Sequence, residues 1–205
     1  MVQVSNLLLW KIFMKIPKDK MDDDIFLTEE DIKKAKSEGL FVAGSNNLRY
    51  DQFYGESGSV IYVTMACYPS DDGKKLITIF NYRRGVDGFN ITFVDNTYEY
   101  ELATEILTPV ERPIEPFTLN EFYNNDNSFF TPKQYSVIQK RFADKRQFHL
   151  SDVNKDGFKV FLGIDNELGI EELGDIILDY YEDYGVGEVE CYWNGKRFVK
   201  DFPEN

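Results

Sequence analysis

A chain of 205 residues with 42% hydrophobic and 16% aromatic content carries enough apolar surface to bury a core, which excludes wholesale disorder. Its formal net charge of -13 excludes a conventional nucleic-acid binder, because such proteins need clustered Lys and Arg to displace counterions from phosphates. Basic proteins, metal cations and cationic ligands are the electrostatically favoured partners.

Residues 5 to 16 set Leu8, Leu9, Ile12, Phe13 and Ile16 at helical spacing, with Ser5 or Asn6 as N-cap and Pro17 as stop. That pattern predicts a short helix laid on the core. Two lysines make a thin polar face for anionic lipid, so core packing is favoured over a membrane-surface role and no membrane association is expected. The segment lacks a basic leader region and a small-residue cleavage site, and no other apolar run approaches the length of a bilayer span. The cytoplasm is therefore the default compartment, although an exported chain trimmed of its signal peptide would look the same.

Thr28 followed by Glu29, Glu30 and Asp31 predicts a helix over 29–38, stopped by Gly39. A β-rich block comes next: strands over 59–68, 75–82, 89–94 and 97–107, with turns at Asp71-Asp72-Gly73, Gly85 to Gly88 and Asp95-Asn96. In the last of these, Tyr98, Tyr100 and Leu102 alternate with Glu99, Glu101 and Ala103, the mark of a sheet with one wet face. Connections this short predict antiparallel hairpins. Pro109, Pro113 and Pro116 then end the sheet and stiffen a linker.

Beyond the prolines, Thr118 and Glu121 have the spacing of a capping box, and Thr131-Pro132 opens a helix to about residue 142 with Tyr135, Ile138 and Phe142 on one face. Strands follow over 147–150, 158–162, 188–193 and 197–200, with Asn194-Gly195 as a hairpin turn. The stretch 170–184 fits a helical stripe and also a strand; Glu171 and Glu172 on a first turn and Gly185 as a stop favour helix. The expected fold class is α+β: an antiparallel β-meander with short helices and a C-terminal hairpin region. Residues 1–108 form a helical N-terminus plus sheet, 109–117 a proline-rich linker, and 118–205 an α+β part that either stands alone or continues the first. Cys67 and Cys191 are too few for a disulfide framework or a zinc site, and both sit in strand-like runs that favour buried free thiols.

Charge is concentrated in one place. Residues 165–190 hold ten carboxylates and no Lys or Arg, leaving -3 for the rest of the chain. With Tyr180, Tyr181, Tyr184, Tyr192 and Trp193 interleaved, this stretch is either a solvated face that keeps the chain soluble or an interaction surface. The candidate binding residues are Glu171, Glu172, Asp175, Asp179, Tyr180, Glu182, Asp183, Tyr184 and Trp193.

Asp152, Asn154, Asp156 and Gly157 match the first half of a calcium loop, in which alternating oxygens converge on a hard cation. An EF-hand would need a bidentate Glu where Gly163 stands and an apolar residue where Lys159 stands. The segment resembles the Asp-x-Asn-x-Asp-Gly loops of FG-GAP and VCBS-type modules, which lead into a strand as Phe158 to Leu162 does here. The resemblance implies Asp152, Asn154 and Asp156 as cation ligands and calcium as the cofactor, and similar tails often end exported bacterial proteins. The competing reading, a tight turn with a glycine bulge between two strands, is favoured.

No catalytic constellation emerges. His149 is the only histidine, Gly55-Glu56-Ser57-Gly58 is not a nucleophile elbow, and no Gly-rich phosphate cradle occurs. The leading expectation is a non-catalytic binding or inhibitory protein that turns its acidic, aromatic-laced C-terminal face toward a basic protein, in the manner of immunity proteins or DNA mimics. A calcium-stabilised module of an exported protein is the alternative. A carbohydrate-active enzyme working through two carboxylates comes third, and nothing selects the pair.

Overall fold

The computed structural model describes residues 4–17, 33, 37, 41–43, 46–54, 59–86, 89–122, 130–143, 148–162 and 188–201. Its architecture is the expected α+β arrangement of antiparallel strands with short helices. Among the described residues ten strands form two sheets: β1 (Phe41–Ala43), β2 (Asn47–Tyr54), β3 (Ser59–Pro69), β4 (Lys75–Val86), β5 (Phe89–Glu101) and β6 (Ile106–Pro109) lie side by side in that order. The second sheet has the order β10 (Phe198–Asp201), β9 (Glu188–Trp193), β8 (Gly157–Leu162) and β7 (Phe148–Ser151). The chain divides into two compact units, the first being Met1–Pro113 with Val153–Asp156 and Trp193–Arg197, the second Ile114–Asp152, Gly157–Tyr192 and Phe198–Asn205.

In the first unit, α1 (Asn6–Phe13) starts where Ser5 caps it, its hydroxyl accepting from the Leu8 amide at 3.2 Å. The cap satisfies one orphan amide of the first turn. The stripe read from the sequence is the buried one: Leu9, Ile12, Phe13 and Ile16 meet Leu48, Val63, Met65, Leu76, Phe80, Tyr82, Tyr98 and Tyr100 from alternate positions of β2 to β5. Register explains why these share a face, since Leu48 pairs with Met65, Met65 with Phe80 and Val63 with Tyr82. Cys67 belongs to the same cluster as a free thiol; burial pushes its pKa up from 9.0 to about 12, against a smaller opposing effect of its contact with the Thr78 hydroxyl. It stays protonated and unreactive at neutral pH.

Tyr100 carries a polar atom into this cluster. Its ring is 1% exposed and its hydroxyl has no hydrogen-bond partner among the described residues. A buried hydroxyl without a partner forfeits its hydration with no return. Tyr100→Phe is therefore expected to raise stability by about 1 kcal/mol, read as an upward shift of the urea midpoint at unchanged m-value. A loss of the same size would show that the hydroxyl is bonded after all.

Two expectations for this sheet are corrected. Asp95-Asn96 is not a turn, because β5 runs through it unbroken from Phe89 to Glu101. Asp95 lies directly across from Asn81, whose side-chain amide donates to the Asp95 carboxylate, so a residue suited to turns is held in the ladder by a cross-strand partner. The turn falls later, at residues 102–105, where Glu105 takes φ +58 and its amide reaches the Glu101 carbonyl at 2.8 Å. The expected strand over 97–107 is thus the end of β5 and the start of β6. The meander also has six strands rather than four, with β1 and β2 ahead of those anticipated. The helix expected over 29–38 lies outside the described residues apart from Lys33 and Ser37, both helical.

In the second unit, α2 (Pro132–Ala143) begins at the expected N-cap, Thr131, which proves to be a capping box: its hydroxyl accepts from the Gln134 amide and Gln134 Oε1 accepts from the Thr131 amide. Ile138 is fully buried on its inner face. A 3-10 turn at Leu119–Glu121 leads into an aromatic group of Phe117, Phe122, Phe142 and Phe148, with neighbouring ring centroids 5.4 to 6.3 Å apart. In the second sheet the strands expected over 147–150, 158–162, 188–193 and 197–200 are found within one residue of those bounds. No helix among the described residues is long and apolar enough to cross a membrane.

Candidate functional site

Alternation along β9 builds the site. Val189 and Cys191 are buried, so Glu188, Glu190 and Tyr192 face the other way. The same period in β8 buries Phe158, Val160 and Leu162 and leaves Lys159 and Phe161 on the outward face. Register sets Lys159 opposite Glu190 and Phe161 opposite Glu188, while β7 adds His149 opposite Phe161 and Ser151 opposite Lys159. In β10, Phe198 is buried, and Val199 and Asp201 are exposed.

Lys159 is the hub of this face. Its ammonium lies 3.3 Å from Glu188 Oε2, 3.5 Å from Glu190 Oε1 and 3.7 Å from Asp152 Oδ2. These carboxylates hold the lysine pKa above its ordinary value, with the Glu188 contact the largest cause. Glu190 is held below the usual carboxylate range, chiefly because the Tyr192 hydroxyl donates to it, and the same bond pushes the Tyr192 phenol up. Asp201, turned outward by alternation in β10, acts on Tyr192 in the same direction. Three carboxylates thus surround one ammonium, and a fourth, Asp201, acts on the exposed Tyr192.

The Asp152 loop is shaped as a turn. Asp152 takes φ +50, a conformation that Asp tolerates better than most residues. Asn154 Oδ1 accepts from the Asp156 amide at 2.9 Å, an Asx turn, and the Asn154 carbonyl accepts from the Tyr68 hydroxyl at 2.7 Å. Asp156 Oδ1 accepts from Lys155 at 2.8 Å and its carbonyl from the Trp193 amide at 3.1 Å. Each of the three residues named as calcium ligands thus has a side-chain oxygen facing a protein donor or ammonium. No cluster of three or more His, Cys, Asp or Glu suited to a metal is found among the described residues.

Of the nine binding residues named from the sequence, Glu171, Glu172, Asp175, Asp179, Tyr180, Glu182, Asp183 and Tyr184 lie outside the described residues. Trp193 is described and is anchored: its indole N–H donates to the Pro69 carbonyl at 2.7 Å and its ring stands 6.0 Å from Tyr68. The residues that complete the outward face are Asp152, Lys159, Phe161, Val199 and Asp201. Alternation within 188–193 could have singled out Glu188, Glu190 and Tyr192. Nothing local to Lys159 shows that three carboxylates, two from β9 and one from the end of β7, meet it. His149 packs against Phe161, with ring centroids 5.4 Å apart.

No family model, curated protein or solved structure matches this chain.

Proposed function

We propose that this protein is a non-catalytic binding or inhibitory protein whose acidic, aromatic-laced C-terminal face takes a basic protein partner. The observation that supports this is the outward side of β8 to β10, where Asp152, Glu188 and Glu190 gather on Lys159 while Glu190 and Asp201 act on the exposed Tyr192. Carboxylates on a regular sheet are held at fixed spacing, so their field is directional and speeds encounter with a cationic surface. Tyr192 offers a rigid amphipathic ring at little entropic cost. The reading favours this role over a calcium module because Asn154 Oδ1 is engaged by the Asp156 amide.

The test is binding of a Lys/Arg-rich peptide, followed by calorimetry at two salt concentrations. The Glu188→Gln/Glu190→Gln/Asp201→Asn variant is expected to bind about tenfold more weakly or worse and to lose most of the salt dependence, since each exposed charge contributes modestly. Fold is preserved in this variant because the ion pairs it removes are exposed and contribute little to stability. Binding undiminished in this variant, and again after the carboxylates of 171–183 are neutralised, sinks the proposal.

A further inference from the structure

The turn between β9 and β10 is built on a chemically labile pair. Of the asparagines in the chain, Asn194 alone is followed by glycine. The side-chain carbonyl carbon of an asparagine can be attacked by the amide nitrogen of the next residue, and the side chain of that next residue ordinarily screens the nitrogen. Glycine has no screen. Among the described residues, Asn47, Asn81, Asn96 and Asn154 precede Leu48, Tyr82, Thr97 and Lys155, and the first three lie within strands. Asn194 is exposed, so water reaches it. The Gly195 amide donates to no partner among the described residues, which leaves its nitrogen available.

The turn also activates the carbonyl. Asn194 Oδ1 accepts from the Lys196 and Arg197 amides, each at 3.0 Å. Two donors on one oxygen draw electrons from Cγ, and they stand where negative charge gathers once a nucleophile adds there. The backbone around the pair is fixed, since the Asn194 amide donates to the Arg197 carbonyl at 3.1 Å and the Gly195 carbonyl accepts from the Asp71 amide at 2.9 Å. Glycine is obligatory at 195: its φ is +97, and a Cβ would stand 1.7 Å from Asp71 Oδ1. The fold therefore imposes the labile pair, asparagine for its two bonds and glycine for its backbone.

We propose that Asn194 is a site of spontaneous deamidation in the folded protein. The Gly195 nitrogen gives its proton to solvent and bonds to Asn194 Cγ, the Cγ–Nδ2 bond breaks, and ammonia leaves with a proton from water. The resulting cyclic imide is opened by one water. Attack at Cγ yields aspartate, and attack at the main-chain carbonyl carbon yields isoaspartate, so the net change is amide plus water to acid plus ammonia. Aspartate retains an oxygen for the Lys196 and Arg197 amides and adds one negative charge to a chain that already carries -13. Isoaspartate inserts a methylene into the main chain of a turn closed by the Asn194 and Asp71 backbone bonds.

The experiment incubates the full chain in native buffer at neutral and mildly alkaline pH, then maps it by proteolysis and mass spectrometry, with isoaspartate separated from aspartate by chromatography. Conversion at Asn194 is expected to be at least about tenfold faster than at any other asparagine, to give both products, and to speed up as pH rises because the attacking nitrogen must lose its proton. Asn194→Gln should abolish the fast conversion, since its longer side chain closes a larger and slower ring. The same chain unfolded in guanidinium chloride supplies the reference rate for an unstructured Asn-Gly pair. A native rate at least equal to that reference supports activation by the turn. A native rate below it means that the turn protects the pair, and overturns the inference. So does faster conversion elsewhere, for example at Asn127 before Ser128, or fast conversion that persists in Asn194→Gln.

Discussion

Gly157→Ala is expected to cost about 3 kcal/mol, at the upper end of what overpacking costs, and to lower the melting midpoint by roughly 10 °C. The ordinary effect of replacing glycine by alanine in a compatible backbone is a gain of about 0.4–1 kcal/mol through a less flexible unfolded chain. Here that gain is overridden. A Cβ at Gly157 would stand 1.8 Å from the Cys191 carbonyl oxygen and 2.9 Å from its carbon. Those atoms are backbone of the neighbouring strand, so relief requires β8 and β9 to separate where Gly157 pairs with Tyr192. The glycine of a sharp turn is usually needed for its left-handed φ, but Gly157 is not among the residues with positive φ; in this loop that conformation belongs to Asp152. Gly157→Asn separates the two roles. Asparagine tolerates left-handed backbone, so it would rescue a conformational glycine, whereas a contact glycine rejects it at least as strongly as alanine. Urea unfolding of the three proteins, followed by tryptophan fluorescence, gives the answer, and an alanine variant within about 0.5 kcal/mol of wild type would show that the strands do not approach this closely.

What the sequence revealed and what it hid divide along the same line, between local chemistry and cross-strand geometry. Thr131-Pro132 and Asn194-Gly195 announce their structures because their own atoms build them. The Thr131 hydroxyl caps its helix, and Asn194 Oδ1 accepts from the amides of Lys196 and Arg197 while Gly195 takes φ +97. The strand Asn47–Tyr54 gives no such signal, since Asn, Arg, Asp and Gln break its β character. It is a strand because β3 pairs it, with Leu48 opposite Met65 in the core. Asp95 stays extended for a like reason: its carboxylate has a partner on β4. The candidate site repeats the pattern. Outward Glu188, Glu190 and Tyr192 are legible as alternation, but the role of Lys159 depends on strand register and on where Asp152 ends β7.

Lys200→Met is the second large effect expected, a loss of about 3 kcal/mol. Lys200 looks like one of many surface lysines in the sequence, and alternation in β10 puts it on the side of the buried Phe198. There its ammonium donates to Glu121 Oε1 at 2.8 Å and Oε2 at 3.1 Å, and to the Pro116 carbonyl at 2.8 Å, while standing 4.7 Å from the centre of the Phe117 ring. The side chains of Lys200 and Glu121 are only 9% and 14% exposed. Exposed pairs contribute little because water replaces either partner, but here little of either side chain is open to solvent. Glu121 Oε2 also accepts from the Thr118 amide at 2.6 Å, so the carboxylate that would lose its counter-ion is tied into the 3-10 turn and cannot turn outward freely. The cost of the single variant is then mostly the uncompensated charge left behind, not the intrinsic strength of the pair. That account makes a sharper claim than destabilisation alone. Glu121→Leu combined with Lys200→Met removes both charges together, and the double variant should be more stable than Lys200→Met. A double-mutant cycle measured by urea unfolding would give a coupling of about 2 kcal/mol, above what surface pairs reach. If instead the two losses add, Lys200 and Glu121 act on stability independently, and the pair is no more than a surface contact.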